Sequence, residues 1–193
     1  ATEVMAWTVN HGSFAMLSDA TEAFETGLAG RWCGVVRALN SLKGLKAGLV
    51  GSVSDWLVAS DVPAERLKHV FDISLAEIPW NTLEDYSILE PDAALIRRFE
   101  GADAPGLEDA ARVLTLLHRI VKKNELNAIA VECFSLVQQR KVTACLALAQ
   151  LNNEGIVAAC EGDIASMAGM MFLKAITGSV PWLANTTSTT NKR

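Results

Sequence analysis

A pair of carboxylates around a glycine is the stretch of this sequence with the clearest chemical potential. Glu161, Gly162 and Asp163 follow a short apolar run at 156–159 and precede a longer apolar segment at 164–176. Carboxylate oxygens bind hard divalent cations, and a carboxylate can also move a proton. Both residues could instead stabilise a helix N-terminus, where Asp163 occupies the N-cap position. Glu161 is therefore the first candidate for a catalytic and metal-binding residue.

Further polar and aromatic residues stand in a turn that follows another apolar run. Ser52, Asp55 and Trp56 could hydrogen-bond the hydroxyls of a sugar and stack an indole on its ring. The alternative is a capped helix start with a tryptophan that packs in the core. We consider the three residues candidate substrate-binding residues.

Three more candidates for substrate binding lie at predicted strand ends. Cys133 and Phe134 follow the apolar run at 128–131, and His11 stands in a polar turn near the start of the chain. The alternative for Cys133 and Phe134 is core packing beside a solvated Glu132, and the alternative for His11 is an exposed loop.

Apolar runs and helical periodicities alternate along the chain, which predicts an α/β fold with a mostly parallel open sheet and helices on both faces. In such sheets, ligands bind at the carboxyl ends of the strands, where the candidate residues stand. Strands are predicted at 46–51, 73–78, 128–131, 156–159 and 180–184, and helices at 31–42, 63–70, 107–124, 143–150 and 164–176, with shorter helical segments at 56–60, 81–86 and 93–99.

Composition excludes several classes of function. The 193 residues are 50% hydrophobic, which suits a substantial core, and the net charge of −5 without a basic cluster argues against nucleic acid. No apolar run is long enough to span a membrane. The four cysteines are predicted to be buried free thiols in a reducing compartment, which favours a cytoplasmic protein. The glycine pattern of a dinucleotide site is absent.

Several short motifs, taken in order, resemble the L-fucose/L-arabinose isomerase superfamily, with the greatest likeness to L-fucose isomerase-related proteins. They are G-L-V-G-S-V-S-D-W-L-V-A-S at 48–60, V-E-C-F at 131–134, T-A-C-L-A-L at 143–148, C-E-G-D at 160–163, T-G at 177–178 and L-A-N at 183–185. The likeness spans residues 45–185 and depends on the order of the motifs more than on any one of them.

The resemblance implies a metal-dependent aldose–ketose isomerase that acts through an ene-diol. In that family a glutamate at the position of Glu161 binds a divalent metal, usually Mn²⁺, and serves as acid and base. Asn185 stands where characterised members carry a second metal carboxylate; its amide oxygen can bind a metal but cannot act as a general base. That departure leaves open a non-catalytic or altered-chemistry relative that still binds sugars.

The resemblance also predicts how the chain is organised. Residues 1–43 would be the end of a preceding α/β domain plus a connecting helix, 44–185 a central Rossmann-like domain like the second domain of L-fucose isomerase, and 186–193 a polar tail leading to a further domain. We expect that domain to supply a histidine metal ligand, and the 193-residue chain to be inactive alone. The expected partners are a small sugar substrate and, at full length, further copies of the protein, with neither nucleic acid nor membrane.

Overall fold

A four-stranded parallel sheet forms the centre of the structure, a computed structural model that describes residues 27–179 and 181–184. The strands are β1 (Lys46–Val50), β2 (Ser74–Ile78), β3 (Ala128–Val131) and β4 (Val157–Cys160), in the order β2-β1-β3-β4. All three pairings are parallel, and the register places the last residues of β1, β2 and β3 side by side. The carboxyl ends of the four strands therefore meet at one edge, as the sequence predicts.

Helices surround the sheet and connect its strands. Short 3₁₀ turns follow β2, and α4 is the longest helix described. The helices are α1 (Leu28–Leu42), α2 (Ala64–Phe71), α3 (Ala93–Arg98), α4 (Leu107–Asn124), α5 (Phe134–Arg140), α6 (Cys145–Asn153) and α7 (Ile164–Thr177), and the 3₁₀ turns are Trp80–Thr82 and Tyr86–Ile88.

Two hydrophobic cores lie on opposite faces of the sheet, because successive side chains of a strand point to opposite sides. Ile129 and Val131 of β3 pack with α4, α5 and α6, whereas Ala128 and Ala130 of the same strand pack with α2 and α7 and with Leu42, the last residue of α1. Burial on both faces explains why the strands are apolar throughout instead of alternating. These two cores confirm the predicted parallel α/β fold with helices on both faces.

The caps of α7 fix where the turn after β4 ends. Asp163 accepts a hydrogen bond from the Ser166 N–H at 2.8 Å, and Gly178 ends the helix in the left-handed conformation. Both roles were predicted from residue type, since a short carboxylate suits the N-cap and glycine suits the C-terminal position.

Some local predictions were wrong. The segment 134–140 forms α5, which was not predicted. The segment 81–86 does not form a short helix; it runs from one 3₁₀ turn, which ends at Thr82, to the next, which begins at Tyr86. Residues 56–60 form turns instead of a short helix. A strand was predicted at 180–184, but residues 181–184 are irregular and Trp182 is 90% exposed. Because Pro181 has no backbone N–H, it suits an irregular segment better than a paired strand.

Helices long and apolar enough to cross a membrane do not occur among the described residues.

Candidate functional site at the carboxyl edge of the sheet

The turn from Cys160 to Asp163 closes tightly at the end of β4. The Asp163 N–H donates to the Cys160 carbonyl at 3.1 Å, and the two residues between them have positive φ, 61° at Glu161 and 67° at Gly162. Two left-handed residues in succession define a type I′ turn. Glycine adopts this conformation without steric cost, whereas in glutamate the Cβ makes it unfavourable. A disfavoured glutamate at a strand end supports a functional role for its side chain.

Backbone contacts hold this turn against the loop that follows β1. The Glu161 carbonyl accepts hydrogen bonds from the Ser54 N–H at 3.2 Å and the Ser54 hydroxyl at 2.8 Å. The Gly162 N–H donates to the Val131 carbonyl at 3.0 Å. A Cβ on Gly162 would lie 2.2 Å from the Ser52 carbonyl oxygen, so a larger residue does not fit there. The Glu161 turn is thus fixed by the loop after β1 and by the end of β3.

The Glu161 side chain contacts Trp56, which in turn packs against Phe134. The Trp56 indole N–H donates to Glu161 Oε2 at 3.1 Å, and the Trp56 ring packs edge-on against Phe134 with centroids 4.6 Å apart. Trp56 is 54% exposed, so a ligand can reach it. The structure therefore brings together Glu161, Trp56 and Phe134, which come from three separate parts of the chain.

The thiols near this turn are suited to packing, not to nucleophilic chemistry. Burial raises the pKa of the Cys133 thiol, and burial together with the charges of Cys133 and Glu161 raises the pKa of Cys160 to about 11. A thiol is a nucleophile in its deprotonated form, so both are inert at neutral pH. All four cysteines are free, as predicted, but Cys145 is exposed and Cys33 and Cys160 are partly buried. The prediction that all four are buried was wrong.

Glu132 is buried, although the sequence favours a solvated side chain at this position. It is 8% exposed instead of solvated, and its carboxylate accepts hydrogen bonds from the Trp80 indole N–H at 3.1 Å and the Ser135 N–H at 3.0 Å. The second bond places it at the start of α5, where a carboxylate stabilises a helix. Its position directly after a buried strand was a usable signal, but its partner Trp80 lies 52 residues away in sequence.

Two cavities open along the same edge. The first, about 640 Å³, lies between the ends of β1 and β2 and helix α5, and the second, about 580 Å³, lies beside the loop after β1 and α2. Ser52 lines both cavities, and Asp55 lines the second. Glu161 is not among the described residues that line either one, although Ser52 contacts Gly162 beside it. The predicted residues thus divide between the Glu161 turn and the neighbouring cavities.

Asp163 serves as a helix cap. Burial alone would raise its pKa, but hydrogen bonds from the Ser166 hydroxyl and N–H, with further ones from Ser60 and Ala165, together lower it. The side chain therefore stays ionised and engaged at neutral pH. The capping alternative considered from the sequence is confirmed.

The donor set of a metal site is partly outside the described residues. Asn185 lies there, so the expected sharing of a cation by Glu161 and Asn185 stays a prediction. His11, predicted to bind substrate and not metal, also lies outside the described residues. Among residues 27–179 and 181–184, no group of three or more His, Cys, Asp or Glu side chains is arranged to hold a metal ion. Glu161 fits one oxygen ligand of a hard cation, but the described residues alone do not complete a site.

Comparisons with known proteins give a consistent but distant similarity, and no family model matches the chain. The chain is 25% identical over 166 residues to sulfoquinovose isomerases of Priestia aryabhattai and Priestia megaterium, which covers 80% of this chain and 37% of each relative. It is 26% identical over 149 residues to the sulfoquinovose isomerase of Alkalicoccus urumqiensis, covering 76% of this chain and 29% of that protein. The chain thus spans about a third of the length of these curated relatives, and the similarity supports a relationship to sugar isomerases.

Proposed function

We propose that this chain is part of an aldose–ketose sugar isomerase in which Glu161 is the catalytic carboxylate. The observation that carries the proposal is the strained type I′ turn, which holds a glutamate in a disfavoured conformation at the edge of the sheet where α/β proteins bind ligands. The similarity to sulfoquinovose isomerases supports the same class of reaction.

The reaction requires one group that moves a proton between neighbouring carbons. In the proposed step, the Glu161 carboxylate takes the proton from the carbon next to the carbonyl, which leaves an ene-diol, and returns it to the former carbonyl carbon. The hydroxyl proton passes from one sugar oxygen to the other, so the product has the same composition. The Trp56 indole N–H, 3.1 Å from Glu161 Oε2, orients the carboxylate for this transfer.

A divalent metal of the Mn²⁺ type is part of the proposal. Glu161 would supply one oxygen ligand and Asn185 a second, with the remaining donors from outside the described residues. Such a metal would polarise the carbonyl and hold two adjacent sugar oxygens.

A second candidate is a sugar-binding relative without turnover. The observation that favours this candidate is Asn185, which has a side-chain amide where the family that the chain resembles has a carboxylate. An amide cannot accept a proton as a general base, so the site would have one acid–base group in place of two.

The test compares the protein at its natural length with its Glu161→Gln variant on a panel of aldoses that includes sulfoquinovose, with and without Mn²⁺. We expect isomerisation by the native protein and its loss in the variant. Because a metal that binds the folded state raises the melting temperature, a thermal-shift titration with Mn²⁺ alone measures the metal site independently of activity. Sugar binding without turnover by the native protein would favour the second candidate.

A further inference from the structure

The first cavity has the composition of a sugar site rather than of an anion site. Its volume of about 640 Å³ falls within the usual range for ligand pockets, about 300–1,000 Å³. Trp80 and Tyr86 offer aromatic surface, and Ser135 and Gln139 offer neutral hydrogen-bonding groups. Ser52 lines the same cavity and contacts the Glu161 turn through Gly162. A ligand in the cavity could therefore contact Ser52, which lies against the turn that carries the proposed catalytic residue.

Among the described residues that line this cavity, Arg140 is the one with a positive charge, and that charge is neutralised by an ion pair with Asp85. Arg140 Nη2 donates to Asp85 Oδ2 at 2.8 Å. Asp85 is itself held in place, because its other oxygen accepts the Ser87 N–H at 3.0 Å. The hydrogen bonds from Ser87, together with Arg140, lower the pKa of Asp85, so this carboxylate stays ionised and continues to neutralise Arg140.

The surrounding charges are either paired or negative. Glu84 lines the same cavity, but its charge is matched like that of Arg140, because it pairs with Arg119. The second cavity, which shares Ser52 with the first, is lined by the carboxylates of Asp55, Asp61 and Glu77, and its described lining contains no lysine or arginine. An anion placed at this edge meets like charges, which cost binding free energy, whereas a neutral polyol meets both donors and acceptors.

We propose that the cavity between β1, β2 and α5 receives the uncharged hydroxyl-bearing end of a sugar and excludes a sulfonate. The substrate class of this chain is then neutral aldoses, in contrast to the sulfonated sugar in the names of its relatives. This inference rests on the proposed function, since it concerns the same substrate. The Asp85–Arg140 pair is the specificity determinant, because it removes the positive charge that a sulfonate would need.

The test is calorimetric titration of the protein at its natural length with a panel of neutral aldoses and with sulfoquinovose. We expect the best neutral aldose to bind at least about tenfold more tightly than sulfoquinovose. Asp85→Asn releases Arg140 from its ion pair and should strengthen sulfoquinovose binding, relative to the binding of the same neutral aldoses by the same variant, by about tenfold. Glu125→Gln is the matched control, because it removes the same charge from an exposed ion pair with Lys46 at the opposite edge of the sheet.

The outcomes separate this inference from the proposed function. Tighter binding of sulfoquinovose than of any neutral aldose by the native protein would overturn the inference and leave a sugar isomerase standing. A loss of sulfoquinovose binding in Arg140→Gln, from a native protein that binds it well, would overturn it in the same way. If none of these sugars binds, the proposed function fails, and the inference fails with it.

Discussion

Glu161 combines a carboxylate at the carboxyl edge of the sheet with a backbone conformation that is unfavourable for any residue other than glycine. Its φ of 61° is left-handed, and its neighbours in the turn leave it no alternative because both its carbonyl and the next N–H are bonded to other elements. Such strain clusters at functional sites, and elsewhere in this structure it occurs at helix ends, as at Glu125. Stability and function should therefore respond in opposite directions when this residue is replaced.

We expect Glu161→Gly to raise the free energy of unfolding by about 0.5–1 kcal/mol, because glycine adopts the left-handed conformation without steric cost. In a chain of this size that corresponds to a rise of about 2–4 °C in melting temperature at most. The same variant should lose isomerase activity. Calorimetry on the 193-residue chain measures the first effect, and an activity assay on the protein at its natural length measures the second.

Glu125 provides the control for this prediction. It is also a glutamate with positive φ, 54°, and its side chain also accepts a hydrogen bond, from Lys46. It lies at the end of α4, away from the site. Glu125→Gly should raise the melting temperature and leave activity unchanged. A fall in melting temperature for Glu161→Gly beside a rise for Glu125→Gly would contradict the idea that the Glu161 conformation is strained.

Asp163 gives stability a pH dependence that can be isolated. Its folded pKa is lowered, so its contribution is fully present above the unfolded value of about 3.9 and is lost as the pH falls through the lower folded value. Asp163→Asn keeps a good N-cap but cannot titrate. We expect the native protein to lose stability more steeply than the variant between about pH 5 and pH 2, measured by urea unfolding. Parallel pH profiles would exclude this role.

At the scale of elements, the Glu161 turn depends on the close approach of two loops. Gly162 packs against the backbone of Ser52, and Gly51 packs against Trp80, whose indole nitrogen would lie 2.6 Å from a Cβ at Gly51. Gly162 therefore permits a close backbone contact, and Gly51 permits close contact with the side chains of Trp80 and Glu132. Both glycines also have a positive φ. These contacts fix the position of Glu161 relative to Trp56.

Gly162→Ala should destabilise the fold by about 2–4 kcal/mol, because the added Cβ meets a backbone oxygen that cannot move aside and the positive φ adds its own cost. Gly101→Ala isolates the second term, since Gly101 also has a positive φ, 82°, but has open space around it. We expect it to cost about 1–2 kcal/mol. Equal losses in chemical denaturation would show that the contact with Ser52 contributes nothing.

The elements that could be predicted are those whose signal is local. Helix α4 and strand β3 have the bounds that the periodicity predicts, and Asp163 and Gly178 cap α7 as their residue types indicate. Helix α5 was missed because it is two turns long and is stabilised by Glu132, whose burial depends on a distant tryptophan. Local patterns carry no information about such contacts. The edge at which Glu161 lies was predictable; its strained φ and its Trp56 partner were not.

At the scale of the whole molecule, the described residues supply one charged metal ligand where a divalent cation of the Mn²⁺ type needs several donors. We therefore predict that the 193-residue chain on its own does not isomerise sugars, whereas a protein of the length of its relatives does. Side-by-side assays with Mn²⁺ measure this. Turnover by the isolated chain that is abolished by Glu161→Gln would show that the chain contains a complete site.

The order β2-β1-β3-β4 also has a consequence for how the chain folds. The central strand β1 pairs with β3 across 81 residues of sequence, as in the hydrogen bond between the Lys46 N–H and Asn127. At about 5–20 residues per second, the ribosome adds that length in roughly 4–16 s. During synthesis β1 can pair with β2, because the connection between them, which contains α2, is short. The other edge of β1 stays unpaired until β3 has been synthesised. Closure of the sheet is therefore a late event, since β3 must first be synthesised and non-local parallel pairing is intrinsically slow.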